Sequence, residues 1–348
     1  MSNTTNFSYL NSNQTYEIIE IIDSYMIVIL YIIGMIGAIL NIITFRQKEI
    51  RCHPCSVYFL FSSIVDFCIM NINILLEIII IFNPFIFNLI YSTQFWCKIG
   101  NYMTFILPCL SSSYIIFASI DRYLVSSLNQ AVRKWSNLKI TRIVIIVTPI
   151  IWALLGLYIP ITNNLVSDPR INNTQCIVQT NSAVIFSIIG EFVFILFNGA
   201  IAPLLLCIFG LLILYDKKKS RQRVLAQQQN RNNFNKISNV ANRQNKHMIT
   251  MLLVQVSLTI IFNIPNIVIY MISYFNMKSY CPMPLLILII FNTIGRWFHY
   301  MNYCKTFYIN TLTSSLFRKS LRKQYQHIKH HRIIITITTI FPINRNIG

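Results

Sequence analysis

Acidic residues are scarce in this sequence: 10 aspartates and glutamates stand against 29 lysines and arginines in 348 residues, a formal net charge of +19. Charged residues of both signs make up only 11 %, whereas a soluble chain of ordinary composition has about 25 %. That is too little charge to coat a water-facing surface, so one or more soluble domains are excluded. Disorder is excluded as well, because 55 % of the residues are hydrophobic. The 9 cysteines include no CxxC pair and no Cys/His zinc spacing, which argues against a zinc module and against a dense disulfide scaffold. No internal repeat suggests the paired halves of a transporter, and no selectivity loop or charge-lined span suggests a channel. An enzyme would need its acids, nucleophile or metal ligands at one depth, but His53, His247, His299, His327, His330 and His331 are scattered.

What the sequence does have is long apolar runs. A stretch of roughly 20 apolar residues spans a bilayer as a helix. Seven such stretches are present: Tyr25–Phe45, Ser56–Phe82, Tyr102–Val125, Lys139–Ile161, Ala183–Tyr215, Met248–Tyr274 and Leu285–Asn310. The sequence therefore predicts an all-α membrane protein, a multi-pass bundle over residues 25–310 between an N-terminal segment 1–24 and a tail 311–348. The first 16 residues are polar with no basic leader, so the first span is expected to be its own insertion signal.

Seven spans put the termini on opposite sides, and the basic residues say which side is which. Arg46, Lys48, Arg51, Arg133, Lys134, the run Lys217-Lys218-Lys219-Ser220-Arg221-Gln222-Arg223, and Arg318, Lys319, Arg322 and Lys323 all fall after odd-numbered spans. The opposite side carries only Lys98, Arg170 and Lys278. The N-terminus is thus expected outside and the tail in the cytoplasm. Glycosylation triplets at Asn3, Asn6, Asn13 and Asn172 fall on that outer face. One-sided loops of this kind speak for anionic inner-leaflet lipids as partners, at about 1 kcal/mol per basic residue, and against nucleic acid. The polar segment 216–247 reads as a cytoplasmic loop with helical extensions of spans five and six.

Span three closes on Ser119-Ile120-Asp121-Arg122-Tyr123, and Cys97 stands 25 residues ahead of Arg122, a helical rise of roughly 37 Å, or one membrane thickness. With seven spans and an outer N-terminus, this pattern resembles the rhodopsin-like G-protein-coupled receptors over about residues 25–323. Other residues match in place: Asp66 in span two, Trp152 in span four, Pro203 in span five and Pro265 in span six. Phe317-Arg318 resembles the start of the short amphipathic helix that follows the seventh span. The end of that span, Phe307-Tyr308-Ile309-Asn310-Thr311-Leu312-Thr313-Ser314, is most similar to a divergent invertebrate neuropeptide branch.

The resemblance implies a plasma-membrane receptor that binds an extracellular ligand and activates a heterotrimeric G protein, with no enzymatic activity and no cofactor beyond a structural sodium ion. A peptide is the expected ligand; a chemosensory receptor for small molecules is the alternative, and a channel or transporter the remote one. Asp121, Arg122 and Tyr123 are the expected coupling triplet, with Pro203 and Pro265 as hinges. Asp66, Ser111 and Asn302 are the expected sodium ligands; a protonated Asp66 bonded to neighbouring helices is the alternative. Cys97 and Cys176 both lie outside, where secretory oxidation favours a bridge, and Cys281 is left over.

The departures are specific. The span-one Gly-Asn pair reads Gly37-Ala38, and the residues before Pro265 read Phe262-Asn263-Ile264, so the aromatic toggle is missing. Counted back from Phe317, the proline and tyrosine of the last motif fall on Phe307 and Asn310, with Tyr308 two residues off. The acid that holds the arginine from span six falls on Asn245, which predicts either a weaker resting lock with some basal signalling or an adequate hydrogen bond from Asn245 in its place. Thr104 replaces the aspartate that amine receptors use, so a biogenic amine is not expected. Glu77, Glu191 and Arg296 lie in outer halves of spans with His299 nearby. Either Glu77 pairs with Arg296, or Glu77 or Glu191 receives a cationic group of the ligand.

Overall fold

The structure is a computed structural model. It describes residues 2–83, 85, 86, 90, 93–127, 129–168, 173–178, 190, 192–194, 196–228, 249–265, 268, 269, 272, 285–314, 317–324 and 326. Among the described residues, seven helices carry the fold: α1 (Gln14–Phe45), α2 (Pro54–Phe82), α3 (Trp96–Ser126), α4 (Leu138–Thr162), α5 (Phe192–Asp216), α6 (Ile249–Pro265) and α7 (Leu285–Thr313). Together they form a seven-transmembrane bundle.

The sequence marked where apolar runs begin, but helices continue past them. The helix containing α1 starts at Ser2, well before Tyr25, and α5 continues to Gln228. Helical hydrogen bonding persists into water as long as the chain offers no breaker, so hydropathy finds the membrane and not the helix end. Local chemistry sets other ends. Pro54 opens α2, where its missing N–H is no loss, and the Asn137 side chain caps α4 by accepting from the Lys139 amide at 3.0 Å.

Lipid and protein divide the helix faces. Ile29, Ile32, Ile36, Ile146, Ile150 and Leu154 are exposed, as a helix exterior in hydrocarbon permits. Of the long apolar helices, α3 is by far the most enclosed. Its Trp152 contact is a landmark: the α4 indole donates to Ser113 Oγ at 2.9 Å and meets the Phe197 ring of α5 at 4.5 Å. Across the other side, α1 touches α2 and α7 closely because Gly34 has no side chain; a Cβ there would sit 2.6 Å from Met70 Cε and 2.9 Å from Cys304 Sγ.

Helix α7 carries Arg296, Asn302 and Lys305 along it, and it has no proline. Phe307, at the position where the family pattern has proline, is buried and packs edge-on against Phe317 at 5.9 Å. Phe317 in turn meets Phe45 at 5.4 Å. This aromatic cluster seats a short helix over residues 317–324, whose first turn is capped by Ser314 Oγ accepting from the Phe317 amide at 3.2 Å. Between α4 and α5, β1 (Asn163–Asp168) and β2 (Asn173–Val178) pair antiparallel with Leu165 opposite Cys176.

Candidate functional site

Polar residues that have no place in hydrocarbon are gathered on the inner faces of the helices at three depths. Burying a charge in such a medium is stable only with a partner, so each group shows what it is built around.

At the outer depth, the Arg296 guanidinium of α7 lies between two carboxylates. Its Nη1 donates to Glu77 Oε1 of α2 at 2.6 Å, and its Nη2 donates to Asp23 Oδ2 of α1. The remaining carboxylate oxygens are also engaged: Trp297 Nε1 donates to Asp23 Oδ1 at 2.7 Å and the Tyr300 hydroxyl to Glu77 Oε2 at 2.6 Å. Of the two alternatives for Glu77, the structure contains the ion pair. It also adds Asp23, which the sequence reading had placed outside the first span. Two acids against one base leave the cluster at net −1, and all three side chains retain part of their solvent exposure. Thr104 lies nearby on α3 and donates to Asn73 Oδ1 at 3.3 Å. His299 is turned instead against Tyr303, edge-on at 5.2 Å. Glu191 lies outside the described residues.

The outer rim is tied by a disulfide between Cys97 and Cys176, with Cα atoms 5.5 Å apart. It fixes β2 to the start of α3. Asn3, Asn6 and Asn13 fall on the outer extension of α1, where side chains are not described, and Asn172 and Cys281 are outside the described residues.

At mid-depth, Asp66 is buried and accepts from Ser111 Oγ at 2.6 Å. Ser111 also contacts Ser62 Oγ at 3.3 Å. Asn302 belongs to the same depth but is engaged elsewhere: its Nδ2 donates to Asn263 Oδ1 of α6 at 2.6 Å, and its Oδ1 accepts from the Lys305 ammonium. Asn263 stands where the family has its aromatic toggle, so an amide pair joins α6 to α7 there instead of an indole. The expected ligand set of Asp66, Ser111 and Asn302 does not fit a sodium ion as it stands, because a side-chain cation already holds the Asn302 oxygen.

At the inner depth, Arg122 and Asp121 are both buried, and the guanidinium Nη2 and Nε donate to Asp121 Oδ2 at 2.6 and 3.2 Å. Ser136, in the connection from α3 to α4, donates to Asp121 Oδ1 at 2.6 Å. That connection also holds the short helix Gln130–Arg133, capped by Asn129 accepting from the Ala131 amide at 2.9 Å. The Tyr123 ring meets the Phe209 ring of α5 in a tilted contact at 5.9 Å. Pro203 is buried in α5 directly after a widened turn over Phe197–Ile201, a local loosening that accommodates a residue lacking its N–H. Pro265 is the last residue of α6 as described. Tyr308 is away from this group: it is exposed on the α1 side, and its hydroxyl donates to the Ile33 carbonyl at 3.0 Å. Asn310, at the tyrosine position of the family pattern, is buried and donates to Asn41 Oδ1 at 3.3 Å. Asn245 lies outside the described residues.

His53, in the loop before α2, borders the inner group. Burial holds its imidazole below the ordinary range, the Arg122 charge pushes the same way, and Asp121 pushes weakly back. A histidine that resists protonation when folded contributes stability at neutral pH, and that contribution is lost as pH falls below about 6.5, where the unfolded chain takes up the proton. The unfolding temperature of the purified protein is therefore expected to drop between about pH 7 and about pH 5.5, and a His53→Gln variant to lose less. An equal drop in both overturns the assignment.

Signals for the missed residues differ. Lys305 is visible as a charge within the seventh apolar run, and Asp23 as an acid two residues before the first. Nothing in the sequence points to Ser136, whose role depends on how its loop folds back.

No curated protein matches the chain. The model of the 7 transmembrane receptors of the rhodopsin family matches residues 36–305, which holds the Asp66, Asp121-Arg122-Tyr123 and Cys97–Cys176 features and stops short of Phe307 and Asn310, where the last motif departs. With well over half its length matched, the chain belongs to the rhodopsin family of seven-transmembrane receptors, multi-pass receptors of the plasma membrane that are not enzymes.

Proposed function

We propose that this receptor is switched by an extracellular peptide bearing a cationic group and passes the signal to a heterotrimeric G protein. The observation that carries the reading is the outer cluster. Asp23 and Glu77 share one arginine, so the end of the bundle reached from outside has an excess negative charge held in place by Trp297 and Tyr300. An arginine or lysine of a ligand brings the balancing charge, and a guanidinium does so through two parallel hydrogen bonds. The absence of the amine-binding aspartate at Thr104 weighs against a small biogenic amine. The neuropeptide-like end of α7, Phe307 to Ser314, supports a peptide over a chemosensory small molecule. Membrane lipids at the basic inner loops complete the set of partners.

The test is a signalling assay in cells that screens amidated peptides against small odorants. Peptides with arginine are expected to activate. An Asp23→Asn variant should then lose about tenfold or more in potency for such a peptide, given about 1.5–3 kcal/mol for a charge-assisted contact, and far less for its citrulline analogue. Glu191→Gln provides the parallel arm. Equal loss for both peptides, or activation by neutral odorants alone, overturns the reading.

A further inference from the structure

An asparagine amide can hydrogen-bond in either direction, because its oxygen and nitrogen are alike in size and a half-turn of the group exchanges them. At Asn302 a cation decides the direction. Lys305, one turn further along α7, is buried, and its ammonium donates to the Asn302 main-chain carbonyl at 2.8 Å and to Asn302 Oδ1. An ammonium has donors and no acceptor, so only the oxygen end of the amide can face it. Nδ2 is thereby turned to α6, where it donates to Asn263 Oδ1 at 2.6 Å.

This clamp has a local cost. Thr311 and Thr313 of α7 each donate to the carbonyl four residues earlier, at 2.9 and 2.6 Å. The matching acceptor for Thr306 is the Asn302 carbonyl, which carries the ammonium, and the buried Thr306 hydroxyl has no hydrogen-bond partner among the described residues. A buried hydroxyl left unsatisfied is unfavourable, so other contacts hold Lys305 in place. Among the described residues no carboxylate is within ion-pair distance of it. Its charge is met by the Asn302 oxygens and by the Phe262 ring of α6, whose centroid lies 5.7 Å from the ammonium, within reach of a cation–π contact. The same ring meets Phe298 of α7 at 6.0 Å. On α6, Ile261 and Ile264 are exposed while Asn263 between them is buried, so Asn263 belongs to the inward face.

We propose that Lys305 is a positioning residue: it sets the Asn302 amide in the one orientation that donates to Asn263, and so makes α7 hold α6 at the level where the family has its aromatic toggle. Phe262 and Asn263 are neighbours on α6, and they meet Lys305 and Asn302, three residues apart on α7. The two helices therefore part at this level only when the amide bond and the ring–cation contact break together.

The experiment is backbone amide hydrogen exchange on the purified full-length receptor without ligand or G protein, so its outcome does not depend on what the receptor binds. Lys305→Met removes the cation and keeps the bulk. Amides of α6 over Ile249–Pro265 are expected to exchange about tenfold faster or more in this variant, from loss of a charge-assisted contact, while those of α4 keep their wild-type rates. Asn263→Ala leaves the cation in place and is expected to give the same pattern. The double variant should exceed the wild-type rate by less than the product of the two single effects, because the singles break one shared contact. Unchanged α6 exchange in Lys305→Met overturns the proposal, as does equal acceleration in α4 and α6, or a double variant equal to the product. If Lys305→Met fails to fold, Asn263→Ala alone decides: faster exchange confined to α6 supports the contact, and wild-type protection overturns it. Ligand-free signalling, which also rests on the G-protein reading above, is expected to rise with α6 exchange. Faster α6 exchange with a flat signalling baseline supports the positioning role and counts instead against the G-protein reading.

Discussion

Replacing Cys97 or Cys176 with serine is expected to remove most of the receptor from the cell surface. The bridge joins residues 79 apart in sequence, and closing a loop of that size restricts the unfolded chain by about 4–5 kcal/mol in the chain-entropy account. A domain of ordinary stability has about 5–15 kcal/mol in all, so the loss is a large fraction of what holds the outer end together. The effect is local as well. β2 is held to the start of α3 by this bond, and the Asn101 amide of α3 donates to the Cys97 carbonyl at 3.0 Å beside it. Without the bond, the hairpin β1–β2 is anchored at that rim by weaker contacts such as Gln94 with Asn164 at 3.4 Å. Surface labelling against total protein measures the outcome. The two single variants and the double variant should be equally impaired, since each removes the same bond. Surface levels equal to wild type would show that the hairpin holds without it.

How much of this was readable beforehand depends on whether a feature is local in sequence. The spans were legible because hydrocarbon imposes a length on every apolar run, and Asp121 with Arg122 because the partners are adjacent. Asp66 was legible as an acid where none is tolerated, and the approach of Cys97 to Cys176 followed once the spans were placed. Asp23 was missed because hydropathy ends the first span at the edge of the apolar run, while the helix continues beyond it and carries Asp23 against Arg296. Lys305 was overlooked because one charge does not spoil a long apolar window. Its surroundings appear only when Phe262 of α6 and Asn302 of its own helix close on it. The departures in α7 needed packing to interpret: Phe307 is an aromatic anchor for residue Phe317, and Asn310 bonds to Asn41 where a tyrosine is the family pattern.

The Asp121→Asn variant is expected to signal without ligand. On the proposed reading Arg122 is released from its resting contacts to engage a G protein, and Asp121 receives two of its N–H groups within a buried setting. Asparagine keeps the size of the side chain and removes its charge. The loss of a charge-assisted contact costs about 1.5–3 kcal/mol, and the cost falls on the resting state alone, because the active state has already given the contact up. A shift of about 2 kcal/mol changes the equilibrium about thirtyfold, enough to move a receptor that is about 1 % active at rest to about a quarter active. Ser136→Ala should act in the same direction and less, since the hydroxyl donates to the other oxygen of the same carboxylate at 2.6 Å and orients it without carrying charge. Adding Arg122→Ala to Asp121→Asn should return the signal to zero, because the group that was released is the one that couples. Ligand-free signalling normalised to surface receptor is the measurement. A baseline unchanged in Asp121→Asn would mean that the resting state is held elsewhere, and a response surviving in the double variant would mean that Arg122 is not the coupling residue.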